Sequence, residues 1–410
     1  MLWEAFTKRF RHGHLTVLGP GRRAHRIGDG EGPEIVIGVR DWATLLRIAL
    51  NPELRFGEAY IDGGIVFETG DLADFFALYE RNREAAPPQP GRLARLVLPL
   101  RRRWQQANDR RRSRANVAHH YDLSEWLYRL FLDREMYYSC AYFAHPGMTL
   151  EEAQAAKARH IAAKLLLRPG QSVLDIGSGW GSLALALAAD AGVSVTGVTL
   201  SAEQLGVARR SATARGLADQ VVFELKDYRD VAARFDRIVS VGMFEHVGAP
   251  NFDRFFAAVR ARLADDGVAL VHSIGRHDPP GTTNPWMRKY IFPGGYVPAL
   301  SETLAAVERA GLWVTDVEIL RLHYAETCRH WRARFLARAG EACRLYDERF
   351  VRMWDFYLAA SEAGFRYGDL MVFQLQLSRR VDAVPVTRDY IAAAEAAQAP
   401  RPTRRSGRAR

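Results

Sequence analysis

Cysteine is scarce: Cys140, Cys328 and Cys343 are the only three in 410 residues. They cannot build a disulfide framework, and no two stand close together as zinc ligands do. Reduced thiols and no metal are therefore expected. Also missing is any apolar run near the ~20 residues that a membrane-spanning helix needs, so the chain is expected to be soluble or peripheral to a membrane. The opening MLWEAFTKRFRHGH has no apolar stretch followed by a small-residue cleavage site, which predicts no secretory leader and a cytoplasmic location. No internal repeat is visible. With 48% hydrophobic and 25% charged residues the composition is that of a globular protein, which excludes a disordered or fibrous chain. Acidic residues are outnumbered, and the net charge of +10 predicts a polyanionic partner: nucleic acid or an anionic membrane surface, which charge alone does not separate.

The length predicts two domains. Residues 1–85 mix short strand-like and helical runs, including FGEAYIDGGIVFETGDLADFFALYE, and read as a small, lipid- or membrane-associated domain. Residues 86–115 form a proline-containing, basic linker that contains LARLVLPLRRRWQQANDRRRSR. This is either a solvated connector or a membrane-surface element, to which each arginine near an anionic leaflet would add roughly 1 kcal/mol. Residues 116–392 read as the catalytic domain and 393–410, ending PRPTRRSGRAR, as a basic disordered tail.

Between Gln171 and Leu320 strand-like runs (QSVLDIG, VSVTGVT, VVFELKD, FDRIVSVG, GVALVHSI, LWVTDVEIL) alternate with helical patterns. That is the signature of an α/β fold with a doubly wound, mostly parallel sheet; MVFQLQLSR is expected to complete the sheet edge. The first strand carries Asp175 into Gly177-Ser178-Gly179-Trp180-Gly181, a strand-to-helix turn where backbone can approach a ligand. A structural tight turn is the plainer alternative. The next strand ends at Thr199-Leu200, without the acid that many nucleotide folds place there. Ser201 and Gln204 can form a capping box at the following helix. Asp227 and Tyr228 are placed to meet an adenine, a surface turn being the alternative.

HHYDLSEWLYRLFLDREMYYSCAYF, GMFEHVG and VHSIGRH fall toward the carboxyl ends of these strands or in a segment that could cover them. Together with VLDIGSGWG, GVTLS, KYIFPGGYVP and HYAETCRHW, these motifs resemble those of the cyclopropane-fatty-acyl-phospholipid synthases and the related mycolic acid cyclopropane synthases, over about Asn116 to Arg380. FGEAYIDG extends the likeness weakly toward the amino terminus. The resemblance implies a Rossmann-like class I methyltransferase domain and a reaction in which a methylene unit from S-adenosylmethionine is added to a cis double bond of unsaturated phospholipid acyl chains. It implies that Tyr138, Ser139, Gly177, Gly179, Thr199, Leu200, Gln204 and Tyr228 contact that cofactor. It further implies a bound bicarbonate ion as base, held by Cys140, Glu245, His272, the Ile274 backbone and Tyr324. A neutral imidazole, a phenol and an N–H can donate to such an anion while a carboxylate accepts its hydroxyl proton. Taken singly, each is more often a core or capping residue. His246 is expected to support structure. Ser361 stands where the family often carries cysteine, which argues against a thiolate mechanism.

The segment RHDPPGTTNPWMRKYIFPGGYVPAL is long for a connection and reads either as an acyl channel and lid or as a packed surface loop. An anionic membrane surface at the inner face is the expected partner, and a homodimer is possible. A nucleic-acid methyltransferase fits less well, because SVGMFEHVG lacks the Asn-Pro-Pro-Tyr type of motif. Two further readings stay open: an acyl methyltransferase giving a methylene- or methyl-branched chain, and a non-catalytic lipid-binding protein.

Overall fold

The computed structural model describes residues 10–85 and 124–398. The linker 86–115, with Arg101, Arg102 and Arg103, lies outside the described residues, as does the chain beyond 398.

Two sheets organise the molecule. In the first, β1 (His14–Leu18), β2 (Ala24–Ile27), β3 (Glu34–Val39) and β4 (Ile65–Thr69) stand in the order β2-β1-β3-β4. Alternation along β3 turns Ile35, Ile37 and Val39 inward, onto Leu45 and Ile48 of helix Trp42–Leu50. Helices Pro52–Ile61 and Leu72–Ala85 then pack on the long helix Glu348–Arg366 of the larger unit. The Tyr60 hydroxyl donates to Asp355 Oδ2 at 3.0 Å, and Arg332 Nε donates to the other oxygen at 2.7 Å. Gly57 is required at this seam: a Cβ there would sit 2.5 Å from Trp286 Nε1.

The second sheet contains β5 (Ser172–Ile176), β6 (Ser194–Thr199), β7 (Val221–Leu225), β8 (Phe235–Val241), β9 (Leu263–Arg276), β10 (Trp313–Ile319) and β11 (Leu370–Ser378), in the order β10-β11-β9-β8-β5-β6-β7. The five strands from β9 to β7 in that order are parallel to one another, as the alternating pattern predicts. Leu174 and Ile176 pack with Phe255 and Phe256 of helix Phe252–Arg262 on one face; Val173 packs with Ile161 of helix Leu150–Lys164 on the other. Strand residues alternating between two apolar cores explain why these runs read as continuously hydrophobic. The chain winds outward from β5 in one direction and from β8 in the other, so a crevice opens at their carboxyl ends, where open α/β sheets bind ligands.

Two expectations are corrected. MVFQLQLSR does not close the edge: β11 inserts between β9 and β10, antiparallel to both. Val372 to Ser378 are all buried, as an interior strand requires, whereas β10 leaves Trp313, Val317 and Ile319 exposed at the edge. The disordered tail does not begin at 393 either, because helix Asp389–Gln398 carries order through 398. Its alanines favour helix, Ile391 is buried, and Glu395 Oε1 lies 2.6 Å from His160 Nδ1.

Candidate active site

The crevice between β5 and β8 holds a cleft built by the glycine turn. Asp175, the last residue but one of β5, lines it; Gly177 and Gly179 follow with φ of +87° and +54°, and Gly181 caps helix Ser182–Ala191. A Cβ on Gly177 would lie 2.7 Å from Met243 Cβ. The turn is fixed from behind by Gly177 N–H and Ser178 N–H, which both donate to Val198 O. Thr199, Leu200 and Gln204 form the next wall. Ser201 caps helix Ala202–Ala214, but the reciprocal half of the box is not made: Gln204 Oε1 accepts from Thr199 Oγ1 at 3.2 Å. Asp227 and Tyr228 close the far end. The Asp227 carboxylate is held by Arg229, which donates from Nε at 2.8 Å and Nη2 at 2.5 Å, and Tyr228 packs edge-on against Phe255. Tyr138 and Ser139 complete the lining. Every residue expected at the cofactor therefore lines this one cleft.

A second cavity, of about 280 Å³, adjoins the first and shares Tyr138, Ser139, Gly242 and His246 with it. Cys140, Glu245, His272, Ile274 and Tyr324 all line it, although they come from a loop, the 3-10 turn Phe244–His246, strand β9 and helix His323–Ala337. Ile274 N–H, expected to face an anion, here donates to Glu245 Oε1 at 2.6 Å. Glu245 Oε2 is buried without a hydrogen-bond partner, and burial pushes this carboxyl up to about 7. Burial pushes His272 down to about 3, so its imidazole is neutral. Gln374 Nε2 donates to its Nδ1 at 3.2 Å, leaving Nε2–H as the ring's donor. Burial raises the Cys140 thiol and the Tyr324 phenol, keeping both protonated; the thiol here donates to Ala141 O at 3.3 Å. This set can grip a small oxyanion and offers no activated nucleophile.

The long segment after β9 forms much of the same cavity. Thr282, Asn284, Met287, Phe292 and Tyr296 line it, while Trp286 points away into the seam with the smaller unit. Ser361 also lines the cavity, and His246, read from the sequence as structural, borders both spaces.

One group escaped the sequence reading. Lys157 lines the cofactor cleft at 1% exposure. A signal existed: Gln154, Lys157, His160 and Lys164 occupy inward positions of helix Leu150–Lys164, at the spacing of Leu150, Ala153 and Ile161. Polar residues at core positions of a helix mark a built site or a buried network.

Comparison with known proteins agrees with this geometry. The family described as "Mycolic acid cyclopropane synthetase" matches residues 108–375. A "Probable fatty acid methyltransferase" from Pseudomonas putida is 36% identical over 84% of this chain and 87% of its own length. The cyclopropane-fatty-acyl-phospholipid synthase of Escherichia coli K12 is 44% identical over 64% of this chain and 67% of its own. Among solved structures, the mycolic acid cyclopropane synthase CmaA1 complexed with SAH and CTAB superposes with a TM-score of 0.62 at 35% identity, covering 64% of this chain and 97% of that one.

Proposed function

We propose, from the premise that this chain belongs to the mycolic acid cyclopropane synthetase family of S-adenosylmethionine-dependent methyltransferases, that it closes cyclopropane rings on the cis double bonds of unsaturated phospholipid acyl chains. The observation that carries this reading is the second cavity, where Glu245 Oε2 is buried without a partner in a space that neutral Cys140, His272 and Tyr324 also line, across a shared wall from the cofactor cleft.

The residues fit S-adenosylmethionine: a Cβ-free turn at Gly177 and an unpartnered, buried Asp175 Oδ2 face its cleft. When bound, it supplies an electrophilic methyl group. The alkene's π electrons would form the new carbon–carbon bond as the methyl–sulfur bond breaks and S-adenosylhomocysteine leaves, with a cation left on the chain. Loss of a proton from the added methyl then closes the ring, a net gain of one CH₂. Bicarbonate supplies the base in this reading. Cys140, Tyr324 and His272 would hold it by donation, while Glu245, ionised, accepts its hydroxyl proton. Phe292, Met287 and Phe365 keep water from the cation. The substrate places the enzyme against the inner face of a membrane; no helix among the described residues is long and apolar enough to cross one.

The Pseudomonas putida relative, described as a fatty acid methyltransferase over most of this chain, keeps a second reading in view: loss of a different proton from the cation would give a methylene-branched chain. Incubation with S-adenosylmethionine and vesicles of monounsaturated anionic phospholipid, with and without bicarbonate, separates the two. High-field cyclopropane proton signals that require bicarbonate are expected. Olefinic methylene signals would replace ring closure by branching, and unmodified lipid would refute the substrate.

A further inference from the structure

Helix Leu150–Lys164 buries two ammonium groups, and whereas Lys164 has Asp316 and Glu318 beside it, Lys157 has no ion pair among the described residues. Lys157 Nζ donates to Ser139 Oγ at 2.8 Å and stands 3.9 Å from the centre of the Tyr137 ring. No carboxylate among the described residues lies within ion-pair distance of it. Asp133, on the facing loop, gives its two oxygens to the N–H groups of Glu135 and Tyr137, both at 2.9 Å. In the same cleft Asp175 Oδ2 is buried and has no donor. A buried cation that feels Asp133 and Asp175 only from beyond ion-pair distance, near a buried anionic oxygen without its donor, is costly in the empty protein. Both are satisfied together by a ligand that carries one charge of each sign.

The amino-acid end of S-adenosylmethionine is such a ligand. Asp227 and Tyr228 lie at the adenine end of the cleft in this reading and Thr199 to Gln204 at the ribose, which leaves Gly177, Ser139, Lys157 and Asp175 for the α-ammonium and α-carboxylate. We propose that Lys157 is the counter-ion of the cofactor's carboxylate, with Asp175 facing the ammonium, an inference that rests on the cofactor reading above. Ser139 completes the pocket: its oxygen accepts from Lys157, so its own hydrogen is free to donate to a carboxylate oxygen. Burial lowers the Lys157 ammonium to about 7, and an anion beside it restores its charge.

Calorimetric titration of the intact protein with S-adenosylhomocysteine and with its decarboxylated analogue tests this without turnover. The wild type is expected to prefer the carboxylate-bearing ligand by about 30-fold or more, the loss typical of an unpaired buried charge. In Lys157→Met the two ligands should bind within about threefold of each other. Should Lys157→Met fail to fold, Ser139→Ala is expected to reduce the preference several-fold in an otherwise intact protein. A wild type without the preference, or a folded Lys157→Met that keeps it, would overturn the assignment. A wild type that binds neither ligand would overturn the cofactor reading itself.

Discussion

Glu245→Gln is expected to lower turnover by roughly 10²–10⁴-fold, the usual worth of a positioned acid–base group, while S-adenosylhomocysteine binds with unchanged affinity. Glutamine keeps the carbonyl that accepts from Ile274 N–H, so the backbone of β9 stays in place. What is lost is the second oxygen, Oε2, the only acceptor of the set that lacks a partner. The pH dependence has a definite sign. This carboxyl titrates at about 7 in the folded protein against about 4.3 in an open chain, so activity that needs the ionised form rises as pH passes through 7. Stability moves the other way. A raised carboxyl pKa contributes stability fully present below about 4.3 and lost as pH rises through 7, because the unfolded chain ionises first. At pH 8 Glu245→Gln should therefore be the more stable protein, by up to about 4 kcal/mol at 1.36 kcal/mol per pKa unit, and indistinguishable near pH 4. Denaturant titrations at the two pH values check the stability claim, and a pH–rate profile checks the other. A variant with wild-type turnover would remove Glu245 from the chemistry.

Trp286→Ala is expected to cost about 3–5 kcal/mol, the range for deleting a buried aromatic. Its indole is 1% exposed, its ring centre is 4.4 Å from that of Phe356, and it meets Gly57 of the smaller unit. The effect should reach the substrate side. Met287 and Phe292, which flank Trp286, line the second cavity, and Lys289 Nζ and Tyr290 OH both donate to Glu58 Oε1 across the seam. Loosening the tryptophan should therefore broaden the acyl lengths accepted as well as lower the unfolding midpoint. Trp286→Phe fills most of the space and discards an indole N–H that has no partner, so it should retain most of the stability. Equal midpoints for wild type and Trp286→Ala would show that the seam holds nothing together.

The parts of this structure legible in the sequence are those set by local pattern. The strand runs feeding two cores, the glycine turn at Gly177 and the capping residue Ser201 each follow from spacing of a few residues. The position of β11 did not, because whether a buried strand lies inside or at the edge of a sheet is decided by pairing with β9 and β10, far away in the chain. Lys157 was missed because lysine is usually at the surface; only its place in the helix period betrays it. The end of the fold was misjudged because the arginines beyond 400 dominated the reading, while the run IAAAEAAQ before them is a strong helix former. Ile274 was expected to offer its N–H to an anion, and the bond that N–H makes to Glu245 could be seen only once the turn after β8 was folded against β9.

The wall shared by the two spaces, made by Tyr138, Ser139, Gly242 and His246, also dictates the bookkeeping of a catalytic cycle. In the proposed reaction the alkene takes the methyl group directly, so nothing is parked on the protein after one partner leaves. Both must be resident at the same moment, the hand-over is a single displacement, and initial-rate lines at varied concentrations of the two should intersect rather than run parallel.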